Sequence, residues 1–455
     1  MSLSSQARSL PSQRVRGGLR EVFELAYPVV LTQMSATAMG VVDSAMVGRL
    51  GATPLAAVGF AGVWLWTVFS FFYGTASGVQ TFVAQADGAD RQRECGAWAW
   101  QGIWVIGPAA AGAVALLALT AGPLIAVMGP SADLQTDAVA YIHMRLPGEI
   151  GMALTMVLTS FFRGFGDTRT PLYATLAANA VNVVLDYGLI FGELGMPRWG
   201  VAGAGAATAV GEWFGCFVLF AAFRRRALRE RFDTGRIGPR RHAIRRLLRT
   251  GAPIGGQWCL GMTSFAIFTT LVARMGDASM AASQAFVMLL SLSFMQAVGI
   301  SAAAATLVGR YIGAKDLGSA ERSFHSSLVL GAIVAGLVGA LFVAIPGPLL
   351  RIFTDDPSVV ELGVSLLALG ALFQLFDAGG IIAEGALRGA GDTRWPFVAH
   401  TLFGWGFFVP AAYVLGIVLD GGLRGAWLGG LLYVIALSTV LVRRFRSGAW
   451  QSVRI

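Results

Sequence analysis

Charge is scarce in this chain: Asp, Glu, Lys and Arg make up 13% of its 455 residues, whereas 55% are hydrophobic. A soluble domain of that size needs more polar surface, so the composition fits a polytopic membrane protein. Cysteine is scarcer still. Cys95, Cys216 and Cys259 stand alone, with no CxxC and no histidine at ligand spacing, which argues against a disulfide framework and against a metal centre. The four histidines are scattered. No P-loop, HExxH, nucleophile elbow or redox cysteine pair occurs, so no enzyme and no cofactor are expected. Any work the chain does on a solute should draw on an ion gradient rather than on ATP. The first twenty residues carry Arg8, Arg14, Arg16 and Arg20 but lack the apolar core and cleavage site of a signal peptide. The amino-terminal tail, residues 1–22, is therefore expected to stay uncleaved and cytoplasmic.

What the chain has in place of these features is a duplication. Arg388-Gly-Ala-Gly-Asp-Thr-Arg-Trp-Pro396 differs from Arg163-Gly-Phe-Gly-Asp-Thr-Arg-Thr-Pro171 at only two positions, and the offset is 225 residues. The same offset carries Pro28 onto Pro253, Val47-Gly48-Arg49-Leu50-Gly51 onto Val272-Ala273-Arg274-Met275-Gly276, and Gly88-Ala89 onto Gly313-Ala314. A single offset that holds across loops and apolar segments implies two homologous halves.

Stretches of about 20 apolar residues, the length that spans a bilayer core, number twelve. They run over 23–46, 53–79, 97–119, 139–161, 170–192 and 200–222 in the first half, and over 250–271, 279–305, 324–347, 362–386, 395–418 and 423–442 in the second. Six helices return the chain to its starting side, so the halves share one orientation and are related by a pseudo-two-fold axis along the membrane normal. The predicted fold is all-α and integral to the membrane: a first lobe over 23–222, a basic linker over 223–249, a second lobe over 250–442 and a tail over 443–455. Of the 34 Lys and Arg, all but Arg49, Arg145, Arg198, Arg274, Arg351 and Arg424 fall on one set of loops and tails. By the positive-inside rule that set, with both termini, faces the cytoplasm.

Eleven of those arginines crowd between Arg224 and Arg249. In a membrane protein such a run reads as an interfacial segment over anionic lipid rather than as a nucleic-acid arm. In the repeated loops Gly166 and Gly391 tolerate positive φ, and Asp167 and Asp392 can cap the next helix. With Arg163 and Arg388 they read as tight charged hinges between helices, ahead of direct substrate contact or phosphate binding.

An ionisable side chain inside the hydrocarbon costs at least about 2.5 kcal/mol, so each one is a candidate until a partner is found. Asp43 lies in the first segment, and Asn182 and Asp186 lie four residues apart on one face of the fifth. Carboxylates beside an amide can bind a proton through a raised pKa or a hard cation such as Na⁺ through several oxygens. The plain alternative for Asp43 is a surface pair near Arg49. In the second half Asp377 is the one deep carboxylate, beside Gln374, which corresponds to Glu149. Arg145 with Glu149 and Glu384 with Arg388 have the spacing of internal ion pairs. Glu212 and His400 read as lone polar groups bonded to a neighbouring helix. The aromatics from Trp64 to Tyr73 and the Met and Phe cluster over 286–295 fit lipid, core or substrate contact equally.

Pro28, Val42-Asp43 with Val47-Gly48-Arg49-Leu50-Gly51, Asn182 with Asp186, Leu307-Val308-Gly309-Arg310 and Phe376-Asp377 ahead of the second repeated loop give the chain a resemblance to the multidrug and toxic compound extrusion (MATE) family. It runs from about residue 20 to 445. The resemblance implies a V-shaped pair of six-helix lobes in a bacterial inner membrane, exporting drugs and organic cations in exchange for H⁺ or Na⁺, and acting as a monomer. It also implies an ion-coupling site at Asp43, Asn182 and Asp186 with Thr208 as a further member, Na⁺ taking the first three if it is the ion. Pro28 is implied as the hinge of the first helix. A second-lobe polar site falls on Asp377 and Gln257; the seventh segment carries no Asp or Glu between Ala252 and Leu271, unlike branches of the family that have one there. The alternatives are a flippase for lipid-linked precursors and a non-transporting sensor or scaffold.

Overall fold

The computed structural model describes residues 16–129, 131–354 and 356–453; Arg8, Arg14 and most of the 1–22 tail lie outside them. Among the described residues the chain forms helices and no strands. Twelve are long: α1 Leu19–Gly48, α2 Ala52–Gly88, α3 Gln92–Val127, α4 Ala132–Gly164, α5 Arg169–Phe191 and α6 Val201–Phe223, then α7 Arg241–Ala273, α8 Asp277–Gly313, α9 Leu317–Ala344, α10 Pro357–Ala390, α11 Arg394–Val418 and α12 Gly422–Arg446. All but α4 are long and apolar enough to cross a membrane. The exception bears Asp133, Asp137, Arg145, Glu149 and Arg163 along its length. The protein is a multi-pass membrane protein of two six-helix halves.

The helices outrun the apolar stretches that signal them. At 37 residues each, α2 and α8 are about 55 Å long at 1.5 Å per residue, well past a hydrocarbon core of about 30 Å. Their carboxy-terminal ends, rich in Gln and Thr, project on the arginine-rich face. The basic segment is also shorter as a linker than its charges suggest. After a short helix, Arg226–Phe232, the chain runs on to Arg240, and the last of these arginines already belong to α7. This segment is docked rather than free. Phe232 is fully buried against Phe161 and Phe165, and Trp100 and Trp104 donate indole N–H bonds to the carbonyls of Thr234 and Ile237 at 3.3 and 2.7 Å.

Caps mark several helix starts. Asp316 accepts from the Ser319 backbone N–H at 3.0 Å ahead of α9, and the Ser319 side-chain and backbone bonds hold its carboxyl below the ordinary carboxylate range. Asp167 does the same for α5, taking the N–H groups of Arg169 and Thr170 at 3.1 and 3.0 Å. Gly166 and Gly391, at φ +93° and +88°, make the turn before each Asp. The second Asp has another job: Asp392 pairs with Arg444 at 2.9 Å, tying the loop to α12.

The halves interlock by exchange. The second helix of each packs on the first helix of the other, α2 on α7 and α8 on α1. At the arginine-rich end α2 and α8 cross, and each reaches the other half's repeated segment. Thr81 donates to the Arg388 carbonyl and Thr306 to the Arg163 carbonyl, both at 2.9 Å. Gln85 donates to the Gly389 carbonyl at 3.0 Å, and its counterpart Arg310 donates to the Phe165 carbonyl and pairs with Asp87 at 3.3 Å. The crossing is close enough to require glycine. A Cβ on Gly88 would lie 2.7 Å from the Arg310 carbonyl carbon, and one on Gly313 2.9 Å from that of Gln85.

Gly88→Val is therefore expected to cost about 1–3 kcal/mol by overpacking against backbone that cannot retreat. Gly59→Val, where a Cβ meets nothing within 4 Å, should leave thermal melting in detergent unchanged. Equal melting of the two variants would contradict the crossing described above.

Candidate functional site

Inside the first half, α1, α4, α5 and α6 enclose a cavity of ≈ 290 Å³. Asp43, Asn182 and Thr208 line it toward the end far from the arginine-rich face, and Arg163, Thr159 and Thr175 line it at the near end. Asp186 closes the far wall. It is fully buried, accepts a hydrogen bond from the Asn182 amide at 3.1 Å, and lies within hydrogen-bonding reach of the Asp43 carboxyl. The alternative pairing of Asp43 with Arg49 does not occur among the described residues; its neighbours are Asp186 and Arg145. One oxygen each of Asp43 and Asp186 is buried without a hydrogen-bond partner. Two carboxyl groups this close repel when both are ionised, so the pair needs a shared proton or a bound cation. Thr208 stands aside, its hydroxyl donating to the Ala204 carbonyl at 2.9 Å.

Next to this pair the sequence reading needs correcting. Glu212 is no lone polar group: Arg145 grips it at 2.6 Å while reaching Glu149, one turn along α4, at 3.5 Å. Glu149 in turn accepts from the Tyr73 hydroxyl. One guanidinium thus bridges two carboxylates, and the group keeps a net negative charge beside Asp43. The spacing of Arg145 and Glu149 was legible, but Glu212 lies 67 residues away on another helix and only packing brings it in. Tyr73 was hidden among the aromatics of α2.

The second half gathers its polar groups elsewhere. Gln257, Glu384, His400 and Arg388 form one cluster near the arginine-rich end, with Arg388 and His400 on Glu384 at 3.3 and 3.2 Å and Asp377 alongside His400. His400, like Glu212, therefore has an acidic partner. Where the first half has Asp43, Asn182 and Asp186, the offset of 225 gives Phe268, Phe407 and Ala411, and Phe268 is buried against Phe408 and Trp427. Pro28 is buried inside α1, and Thr32 donates to its carbonyl at 2.7 Å. A proline there leaves one helical hydrogen bond unmade, the local condition for a bend. Among the described residues no group of three or more His, Cys, Asp or Glu is arranged to hold a metal ion.

The family model MatE matches twice, over residues 28–188 and 253–414. The chain belongs to the MatE family. The two MatE matches start 225 residues apart, the offset of the internal repeat. A Thermotoga maritima relative described as a probable multidrug resistance protein NorM is 31% identical over 448 residues, 97% of this chain and 95% of that one. A NorM relative described in the same words from Pseudomonas aeruginosa is 32% identical over 424 residues, 90% and 86% of the two chains. The MatE fold is also that of a solved MATE structure in complex with MaL6, with TM-score 0.88 at 20% identity over 96% of this chain and 98% of that one.

Arg145 is the only cation in contact with Glu149 and Glu212 among the described residues, so Arg145→Met should destabilise the protein by about 3–5 kcal/mol by stranding buried carboxylates. Breaking the exposed Arg226–Glu230 pair should cost under about 1 kcal/mol. Thermal or chemical unfolding of the two variants checks the difference.

Proposed function

We propose that this MatE protein is a secondary active exporter that moves cationic or amphipathic drugs out across a bacterial inner membrane in exchange for H⁺. The reading rests on one observation: the carboxyl groups of Asp43 and Asp186 meet at the wall of the α1–α4–α5–α6 cavity. Two acids in mutual contact form a proton site, whereas Na⁺ wants several separate oxygens around it. The names of the relatives as multidrug resistance proteins support the substrate class. The arginine-rich loops support cytoplasmic termini by the positive-inside rule.

Exchange follows from competition. A cation about 4 Å from one ionised carboxylate gains roughly 4 kcal/mol at an effective dielectric of about 20, nearly three orders of magnitude in affinity. A proton arriving from the outside neutralises the pair and removes that attraction, so the drug leaves outward. The proton-loaded and drug-loaded forms then favour opposite openings, with α1 bending at Pro28 as the moving part. Asp377 and Gln257 play a supporting part in the second lobe. A flippase for lipid-linked anions would want a cavity dominated by positive charge, and this one sets Asp43 and Glu212 against Arg145 and Arg163.

In everted vesicles, wild type should concentrate a fluorescent cationic dye when the interior is acid and not when only a Na⁺ gradient is imposed. Asp43→Asn and Asp186→Asn should each cut the rate by tenfold or more, in line with the roughly thousandfold attraction at stake, and Asp377→Asn should cut it less. Dye movement on Na⁺ alone, or an undiminished rate in Asp186→Asn, would contradict the proton reading. No dye movement on any gradient points to the flippase or the non-transporting scaffold.

A further inference from the structure

Displacing the second-half cluster by 225 positions exposes what the first half lacks. Arg388, Glu384, His400 and Gln257 become Arg163, Thr159, Thr175 and Thr32, and all four line the first-half cavity. The arginine is kept while its acid and its imidazole have become hydroxyls. Arg388 has Glu384 at 3.3 Å. Arg163 has no carboxylate within 4 Å among the described residues, and its Nε is buried without a hydrogen-bond partner. Thr159 and Thr175 face the cavity, and their hydroxyls have no partner among the described residues. An arginine withdrawn from water with no counter-charge is costly, and the cost is recovered when an anion arrives.

We infer that Arg163, with Thr159 and Thr175 beside it, is a subsite for a carboxylate on the exported solute. The preferred class is therefore zwitterionic: a protonated amine held toward Asp43 and Glu212, and a carboxylate on the guanidinium. The planar guanidinium matches a carboxylate with two parallel hydrogen bonds, and the hydroxyls supply further donors. The two ends are suitably spaced. Along α5 the levels of Asn182 and Thr175 are seven residues apart, about 10 Å at 1.5 Å per residue, the length of a drug-sized molecule. The inference deepens the export reading of the same cavity and rests on it, yet binding tests it separately from transport.

The test is equilibrium binding of a fluorescent aryl carboxylic acid bearing a protonated amine, and of its methyl ester, to the purified full-length protein in detergent, with gluconate or chloride as the salt anion. Wild type should prefer the acid by roughly tenfold or more, the worth of a charge-assisted hydrogen bond. Arg163→Gln and Thr159→Glu, the latter giving Arg163 the partner that Arg388 has, should each erase that preference and leave ester affinity unchanged. Arg163→Lys should retain part of it. Unchanged ester binding also shows that the variants fold. A preference that survives Arg163→Gln, or acid and ester weakened alike, overturns the subsite. No preference in wild type, with binding sensitive to chloride, assigns Arg163 to an inorganic anion and overturns it too. A preference that behaves as expected in a protein that moves no dye supports the subsite and counts against the antiport reading alone.

Discussion

Two hydrogen bonds related by the internal repeat hold the halves together: Thr81 to the carbonyl of Arg388, and Thr306 to that of Arg163. Each comes from the end of a helix in one half and lands on the repeated segment of the other. Because they end on the last turn of α4 and of α10, they fix the depth at which Arg163 and Arg388 enter their lobes. The glycine crossing of α2 and α8 sets how close those ends can come. A conformational change that preserves this clasp must take place at the opposite end of the helices, where α1 carries Asp43.

The duplicated scaffold has been used asymmetrically. In the first half the polar groups sit far from the arginine-rich face, at Asp43, Asn182, Asp186 and Glu212, around an open cavity. The second half fills the equivalent positions with Phe268, Phe407, Ala411 and Leu437 and gathers its polar groups at the near end, around Glu384. An ion and a solute that compete for charge therefore have one lobe suited to them. The other lobe keeps its arginine neutralised internally. Divergence at a few positions, rather than a change of fold, separates the two chemistries.

Much of this could be read along the chain. The 225-residue offset and the twelve apolar stretches reveal the two-lobed helical fold, since a spanning helix must be apolar over a bilayer's width. Helix ends were underestimated because residues such as Gln80, Thr81 and Gln85 are polar yet continue α2 beyond the membrane. The linker was overestimated because the arginines of the first turns of α7 look like those that precede them. Asp43, Asn182 and Asp186 were legible as costly charges and an amide in apolar segments, but the contact between helices 1 and 5 was not. Arg163 was read as part of a hinge because its neighbours are turn residues. That its side chain belongs to the cavity follows only from the orientation of the last turn of α4, although the exchange of Glu384 for Thr159 was visible in the repeat.

The central claim is that a proton and a cationic solute contend for the Asp43–Asp186 pair, and proton release on binding tests it most directly. Purified protein in weakly buffered detergent, titrated with a cationic dye near neutral pH, should release protons in step with dye bound, and Asp186→Asn should bind dye with that release lost. Dye binding that releases no proton in the wild type, or the same release in Asp186→Asn, would contradict the account.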